Sequence, residues 1–332
     1  EAIDSVKYPG TRVQILDSQT YSGSILIDES ERLSGLVIEA VEGAQPKLIA
    51  TRGSNAPVVT IRDTSDVVLR RLSIEAADQA GVEIRGKSPG LVLEELNLKQ
   101  RGAAPFALVN VAAGAAGTSD RPIVIFRCRA ECNVGQCVWI KGTAANPVLH
   151  VHAIENRFTS RADGSLAVLW GTLADVKLHR NLFWAGGIGV NLNFSPPDRA
   201  SRAALTNNTF FRTPYWLGFV STQPEQAEGI LVANNLIVET PAMEAGVRPL
   251  ADFSGHPGWM FEHNVWEAVP GATAATVGPF ATLVEKAPLA SRDAASEEFL
   301  RPAADSLLAT LGKGGELPPY VGAQPPAPAT SP

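Results

Sequence analysis

Apolar side chains recur along this chain in one figure, apolar-x-apolar-x-x-(Asn or apolar)-x-apolar. It reads Val67/Leu69/Leu72/Ile74, Leu91/Leu93/Leu96/Leu98, Ile123/Ile125/Cys128/Ala130 and Val151/Ala153/Asn156/Phe158 in the first half. It continues as Val176/Leu178/Asn181/Phe183, Ala203/Leu205/Asn208/Phe210, Ile230/Val232/Asn235/Ile237 and Trp259/Phe261/Asn264/Trp266. Apolar residues two apart share one face of a strand. The pattern then slips by one residue, as a bend between two strands requires, and the next apolar pair faces inward again. Successive copies lie 24–32 residues apart, the length of one solenoid coil with loops of varying size. The Leu-x-x-Leu-x-Leu-x-x-Asn figure of leucine-rich repeats does not fit, and helical repeats need three-to-four spacing over longer stretches. The pattern predicts an all-β solenoid of about ten coils around one apolar core, with short terminal caps.

The third position of the figure changes character along the chain. It is Leu72, Leu96 and Cys128, then Asn156, Asn181, Asn208, Asn235 and Asn264. Asn tolerates left-handed backbone, which suits a bend. Stacked one strand spacing apart, about 4.8 Å, such amides hydrogen-bond along the axis, which offsets the cost of burying them. Asn207-Asn208-Thr209 also matches a glycosylation sequon, but ladder membership already accounts for Asn208. The position just before the column reads Arg71, Glu95, Arg127, Glu155, Arg180, Asn207, Asn234, His263. Alternating signs on successive coils place opposite charges side by side. Each exposed pair is worth only ~0.2–1 kcal/mol, so the pairing serves register more than stability.

Through Asn156-Arg157-Phe158, Asn181-Leu182-Phe183 and Asn208-Thr209-Phe210 the chain resembles the right-handed parallel β-helix (pectate-lyase-like) superfamily. Pro9-Gly10-Thr11, followed by Val13-Gln14-Ile15 and Tyr21, is similar to the start of the first coil in these proteins. Phe299-Leu300-Arg301-Pro302, Asp305-Ser306 and Val321-Gly322-Ala323 are similar to their closing segment. The stretch containing Val37-Ile38-Glu39-Ala40 also resembles β-helical regions that follow bacterial serine/threonine kinase domains. No Gly-rich loop, catalytic Asp loop or Asp-Phe-Gly element is present, so the chain itself is not a kinase. The expected organisation is one domain over residues 1–323. Its cap and first coils occupy 1–57, its regular coils 58–267 and its closing segment 268–323, with a disordered Pro/Ala-rich tail over 324–332. Residues 1–8 are expected to end a capping helix, and the repeat is expected to dissolve between Ala268 and Pro288.

A net charge of −6 and a pI near 5.5 argue against a nucleic-acid or anionic-membrane partner. The uncharged run Gly102–Ser119 holds too little large apolar surface to insert in a membrane. A start at Glu1, without a leader, reads as a mature or excised form, and an extracytoplasmic location is expected. Cys128, Cys132 and Cys137 are odd in number, which leaves one thiol free or intermolecular. A zinc site joining them to His150 and His152 has none of the spacings of a finger, knuckle or ribbon. Small core residues with at most one disulfide are expected, and no metal or cofactor.

In the superfamily resembled, substrate lies along one parallel sheet and the loops beside it. The matching strands here are Val82–Arg85, Phe106–Val111, Val138–Lys141, Leu166–Trp170, Ile188–Asn193 and Leu217–Phe219. With Val82/Ile84, Val138/Ile140 and Ile188/Val190 inside, the outward set is Glu83, Arg85, Trp139, Lys141, Asn191 and Asn193. Asn110 joins if its strand turns the matching face outward. Such a strip can stack on and hydrogen-bond a sugar chain. Glycoside hydrolysis wants two carboxylates, and the strip offers only Glu83. The Asn-Thr-Asp, Asp-Asp and Gly-His-Gly elements of β-helical galacturonases are absent, as is a carboxylate cluster for calcium. Asp63 and Asp66 sit where a turn favours Asp. Asp252, Ser254 and His256 have the residue types of a hydrolase triad, but separations of two residues do not allow its geometry. His150 and His152 read as a satisfied outward pair, and His179 has no sequence partner. No catalytic residue is assigned. The expected function is a monomeric, non-catalytic module that binds carbohydrate or another envelope ligand, as the sensing region of a larger bacterial receptor such as a serine/threonine kinase. The alternatives are a polysaccharide lyase or glycoside hydrolase with an atypical site, and a structural spacer or adhesive stalk.

Overall fold

The inward apolar pairs wind the chain through three parallel sheets in a computed structural model. The structure describes residues 3–28, 30–51, 54–102, 104, 106–219, 221–240, 253, 255–268 and 281–328. Among these, the main path of the first sheet has ten strands, from Arg12–Ile15 to Trp259–Glu262. The second has eleven, from Thr20–Ser22 to Ala281–Val284, and the third has eight, from Ile25–Ile27 to Tyr215–Phe219. Each coil visits the three sheets in that order, giving a right-handed parallel β-helix.

Stacking is in register, so the core consists of columns. In the first sheet Ile38, Leu69, Leu93, Ile125, Ala153, Leu178, Leu205, Val232 and Phe261 are successive partners, all buried. In the second sheet Phe158, Phe183 and Phe210 follow one another, with ring centroids 5.4 and 4.9 Å apart. Fully burying each such side chain contributes roughly 1.5–3 kcal/mol. The third sheet repeats the arrangement with Ile27, Ile61, Ile84, Val111, Ile140, Leu169, Leu192 and Phe219.

The Asn column is a continuous ladder. Each Nδ2 donates to Oδ1 of the next Asn, at 2.9, 3.1, 3.0 and 2.9 Å from Asn156 to Asn264. Each Oδ1 also accepts the backbone N–H one coil earlier, at 2.8–3.0 Å. The second Nδ2 hydrogen goes to a first-sheet carbonyl of the preceding coil. The left-handed residue, however, is not the Asn. It is the residue before it: Arg71, Glu95, Arg127, Glu155, Arg180, Asn207, Asn234 and His263 all have φ between 52° and 57°. One left-handed residue between two extended strands turns the chain sharply and leaves the following side chain pointing inward. The strain, about 1–2 kcal/mol per non-glycine residue, therefore falls on the outward position, and the Asn is free to serve its amide.

The charge ladder is only partly as expected. Glu155 accepts from Arg127 at 2.9 Å and from Arg180 at 2.6 Å, but Arg71 pairs with Glu39 at 3.1 Å rather than with Glu95. The last three positions are taken by the closing segment: Asn207 donates to Tyr320 O, Asn234 to Pro318 O, and His263 pairs with Leu311 O. That segment runs back along the corner and covers the outer face of the second sheet. There Leu182, Phe211, Leu236, Val238 and Val265 pack against Phe299, Leu300, Leu308 and Val321. Ala327 N–H reaches Pro302 O.

Two terminal expectations are corrected. Residues 3–8 form turns, not a helix; Val6 is buried and Arg32 ties down the carbonyls of Ile3 and Val6. So short a stretch gains too few hydrogen bonds to nucleate a helix. The repeat also outlasts Ala268, because Ala281–Val284 pairs with Asn264–Glu267 as a further rung.

Asn208→Ala strands two donors, the N–H and Nδ2 of Asn181, whereas Asn156→Ala strands one, the N–H of Cys128. At ~1–3 kcal/mol per stranded buried group, we expect Asn208→Ala to cost roughly twice as much stability as Asn156→Ala. Denaturant unfolding of both variants checks this, and equal costs would refute a continuous ladder.

Candidate functional site

The outer face of the third sheet presents two rows. One runs Leu26, Thr60, Glu83, Asn110, Trp139, Val168, Asn191, Gly218. The other includes Arg62 next to Arg85, and Lys141, Trp170 and Asn193 in succession. All seven sequence-derived candidates lie in these rows. Asn110 does join, since it is the register partner of Glu83 and donates to its Oε1 at 3.0 Å. Glu83 is 8% exposed and pairs with Arg85 at 2.9 Å. Asn193 lies in its row but is buried at 5% exposure, so it lines the floor of the face rather than its surface.

The sequence did not expose Trp170. It lies at the end of Leu166-Ala167-Val168-Leu169-Trp170, an all-apolar run with no alternation to show which side faces out. In the structure it is half-exposed, and its ring centroid is 6.1 Å from that of Trp139. Lys141 Nζ lies 5.2 Å from the Trp139 ring and 5.6 Å from the Trp170 ring, within cation–π range of both. The chain then leaves the sheet through Gly142 and Gly171. A Cβ on Gly142 would strike Thr172 O, and one on Gly171 would strike Gly142 O. Only glycine allows turns stacked this closely, and they put Lys141 and Trp170 at the rim of the face.

Three buried polar atoms here have no hydrogen-bond partner among the described residues: Trp139 Nε1, Asn191 Oδ1 and Asn193 Oδ1. Each such group costs about 1–3 kcal/mol if left unserved. The face therefore combines indole surface and one ammonium, with the unpartnered polar atoms buried directly beneath them.

Among solved structures, pectate lyase Pel9A aligns with a TM-score of 0.63 at 13% identity, over 98% of this chain and 90% of that one. The likeness is one of fold, a parallel β-helix. A PL6-family alginate lyase, AlyGC, aligns with a TM-score of 0.33 at 12% identity, over 99% of this chain and 58% of that one, and adds nothing to the fold argument. No protein-family model and no curated protein sequence matches the chain. None of the comparisons supports the expected link to kinase-associated regions. At these identities the likeness concerns architecture and transfers no catalytic residue to this β-helix.

The remaining candidates are held by structural partners. Asp63 accepts the backbone N–H of Lys87, and Asp66 pairs with Arg121. Among the described residues no three His, Cys, Asp or Glu side chains are placed to share a metal ion. Of the proposed triad types, Asp252 and Ser254 lie outside the described residues, and His256 Nδ1 accepts from Gly258 N–H. Cys128, Cys132 and Cys137 are all buried and free, with the Cys132 and Cys137 sulfurs 3.1 Å apart. Burial pushes the Cys128 thiol up to about 12, so it is an inert core group.

His150 and His152 do project together, and both meet Asp175, at 2.8 and 3.7 Å. His179 has a partner that the sequence hid, Thr206 Oγ1 at 2.9 Å on the next coil. Burial would raise Asp175, but the His150 hydrogen bond and the Lys177 charge outweigh it and hold the carboxyl below its ordinary value. Burial, aided by Lys177, holds His152 below 6.5 against the pull of Asp175. Burial, aided by Arg180, does the same to His179.

Both imidazoles resist protonation in the fold but take up a proton freely once unfolded. Below a pH of 6.5 the unfolded chain therefore binds more protons, and stability falls as pH drops through that value. We expect the denaturation midpoint to decline between about pH 7.5 and about pH 5.5, and His152→Gln or His179→Gln to flatten that slope. An unchanged slope in both variants would refute the assignment.

Proposed function

We propose that this β-helix, as a single domain over residues 1–323, is an extracytoplasmic module that binds a polysaccharide along the outer face of its third sheet. The carrying observation is the Trp139–Trp170 pair at 6.1 Å, with Lys141 beside both rings and unserved polar atoms next to them. Sugar rings offer flat C–H faces to indoles and hydroxyls to amides, so this mixture suits a glycan better than an apolar ligand. Glu83, Arg85, Asn110, Asn191 and Asn193 continue the face along the solenoid axis and supply further hydrogen-bonding groups. The structural likeness to a pectate lyase, a protein named for action on a sugar polymer, favours the same ligand class. A polymeric sugar ligand in turn favours a location outside the cytoplasm.

Affinity electrophoresis against acidic and neutral polysaccharides tests the binding. We expect Trp139→Ala and Trp170→Ala each to weaken retardation by about tenfold, the scale of losing a stacking contact of ~1.4 kcal/mol. Retardation untouched by both substitutions would remove the site from this face.

A second reading has one observation behind it. Lys141 makes no ion pair among the described residues, so no carboxylate competes for its side chain, whose neutral form is the base that β-elimination requires. That reaction removes the proton beside a sugar carboxylate and expels the glycosidic oxygen, leaving a carbon–carbon double bond. Products that absorb in the ultraviolet, formed by the native chain and absent with Lys141→Ala, would establish this reading. Binding without such products would favour the non-catalytic one.

A further inference from the structure

A second concave region lies on the outer face of the second sheet, where the closing segment forms one of its walls. The charged residues around one cavity of about 680 Å³ are Arg127, Arg129, Arg157, Arg180 and Arg301 against Glu155 and Glu297. A neighbouring one of about 450 Å³ shares Arg129 and Arg157 with it and adds Lys99 and Trp184. Both volumes fall in the range of ligand sites, ~300–1,000 Å³.

The charges here do not cancel. Arg127 and Arg180 are both committed to Glu155. Arg129 and Arg157 are register partners on adjacent strands, about 4.8 Å apart in the sheet, and neither forms an ion pair among the described residues. Glu131, on the same face, pairs with Arg161 instead. Like charges directly opposite one another oppose strand pairing, so this is an arrangement the fold does not favour by itself. Arg157 is nevertheless held in place, its guanidinium 4.2 Å over the Trp184 ring and 5.8 Å from that of Phe299. Arg301, which also lines the cavity, has a buried Nε with no partner among the described residues. In a chain of net charge −6, this is a local concentration of unneutralised guanidinium groups.

We propose that this groove is a second binding site, specific for a tetrahedral oxyanion, a sulfate or phosphate ester carried on a larger polar ligand. A carboxylate is served by one guanidinium fork, whereas a tetrahedral group with three non-bridging oxygens accepts from two at once. Asn97, Thr159 and Gln324 line the same cavities and offer hydrogen bonds to the rest of such a ligand. The groove shares no residue with the Trp139 face and stands independently of it.

The test is calorimetric titration and thermal melting of the full chain with inorganic sulfate, inorganic phosphate, a sulfated oligosaccharide and acetate at matched ionic strength. Sulfate and phosphate are expected to bind and raise the melting temperature, with acetate inactive and the sulfated oligosaccharide tighter than free sulfate. The double variant Arg129→Gln/Arg157→Gln is expected to weaken this binding at least tenfold while still folding, and Arg157→Lys to fall between it and the native chain. Trp139→Ala is expected to leave it intact, which separates this site from the polysaccharide face. No sulfate or phosphate binding, an equal effect of acetate, no gain from the oligosaccharide, or undiminished binding in the double variant would each overturn the proposal.

Discussion

In-register parallel stacking is the constraint on which the rest of this molecule depends. Every residue has its equivalent one strand spacing above and below, so any property placed at one position is repeated or must be answered by the next coil. For apolar side chains this is simple, and the columns from Ile38 to Phe261 and from Ile27 to Phe219 follow from it. For a buried amide it is demanding, because only another group able to donate and accept can serve it. The ladder therefore runs unbroken from Asn156 to Asn264 and ends on the N–H of Cys128, which needs no side-chain amide to close it.

The same constraint shapes the surface. An outward row along the axis brings together residues far apart in sequence at one fixed spacing. Trp139 and Trp170 become neighbours in this way, as do Arg129 and Arg157. An anti-register arrangement would scatter these groups; stacking concentrates them into strips of one chemistry. The closing segment then decides which strips remain open. It covers the apolar end of the second sheet, around Phe211 and Leu236, and forms one wall of the groove at the basic end.

Much of the fold was legible in the sequence because a column repeats its own pattern. The four apolar positions of each unit fall in the core or the ladder, and the slip of one residue marks the corner. The corner's geometry was harder to read. Which residue takes the left-handed conformation depends on keeping the next side chain inward, and Asn preference alone pointed one position too late. The third-sheet face was legible where strands alternate, as in Val82–Arg85, and illegible where they do not, as in Leu166–Trp170.

By itself the sequence determined the coil, the ladder and the outward candidates from Glu83 to Asn193, since each depends on local alternation repeated at a regular interval. Tertiary structure alone decided which residues of different coils meet: Lys141 with Trp170, His179 with Thr206, Arg71 with Glu39, and the closing segment with the second sheet. Those meetings depend on the register between coils and on loop lengths that vary from coil to coil. A periodic pattern shows which way a side chain faces, but not which neighbour it will find there.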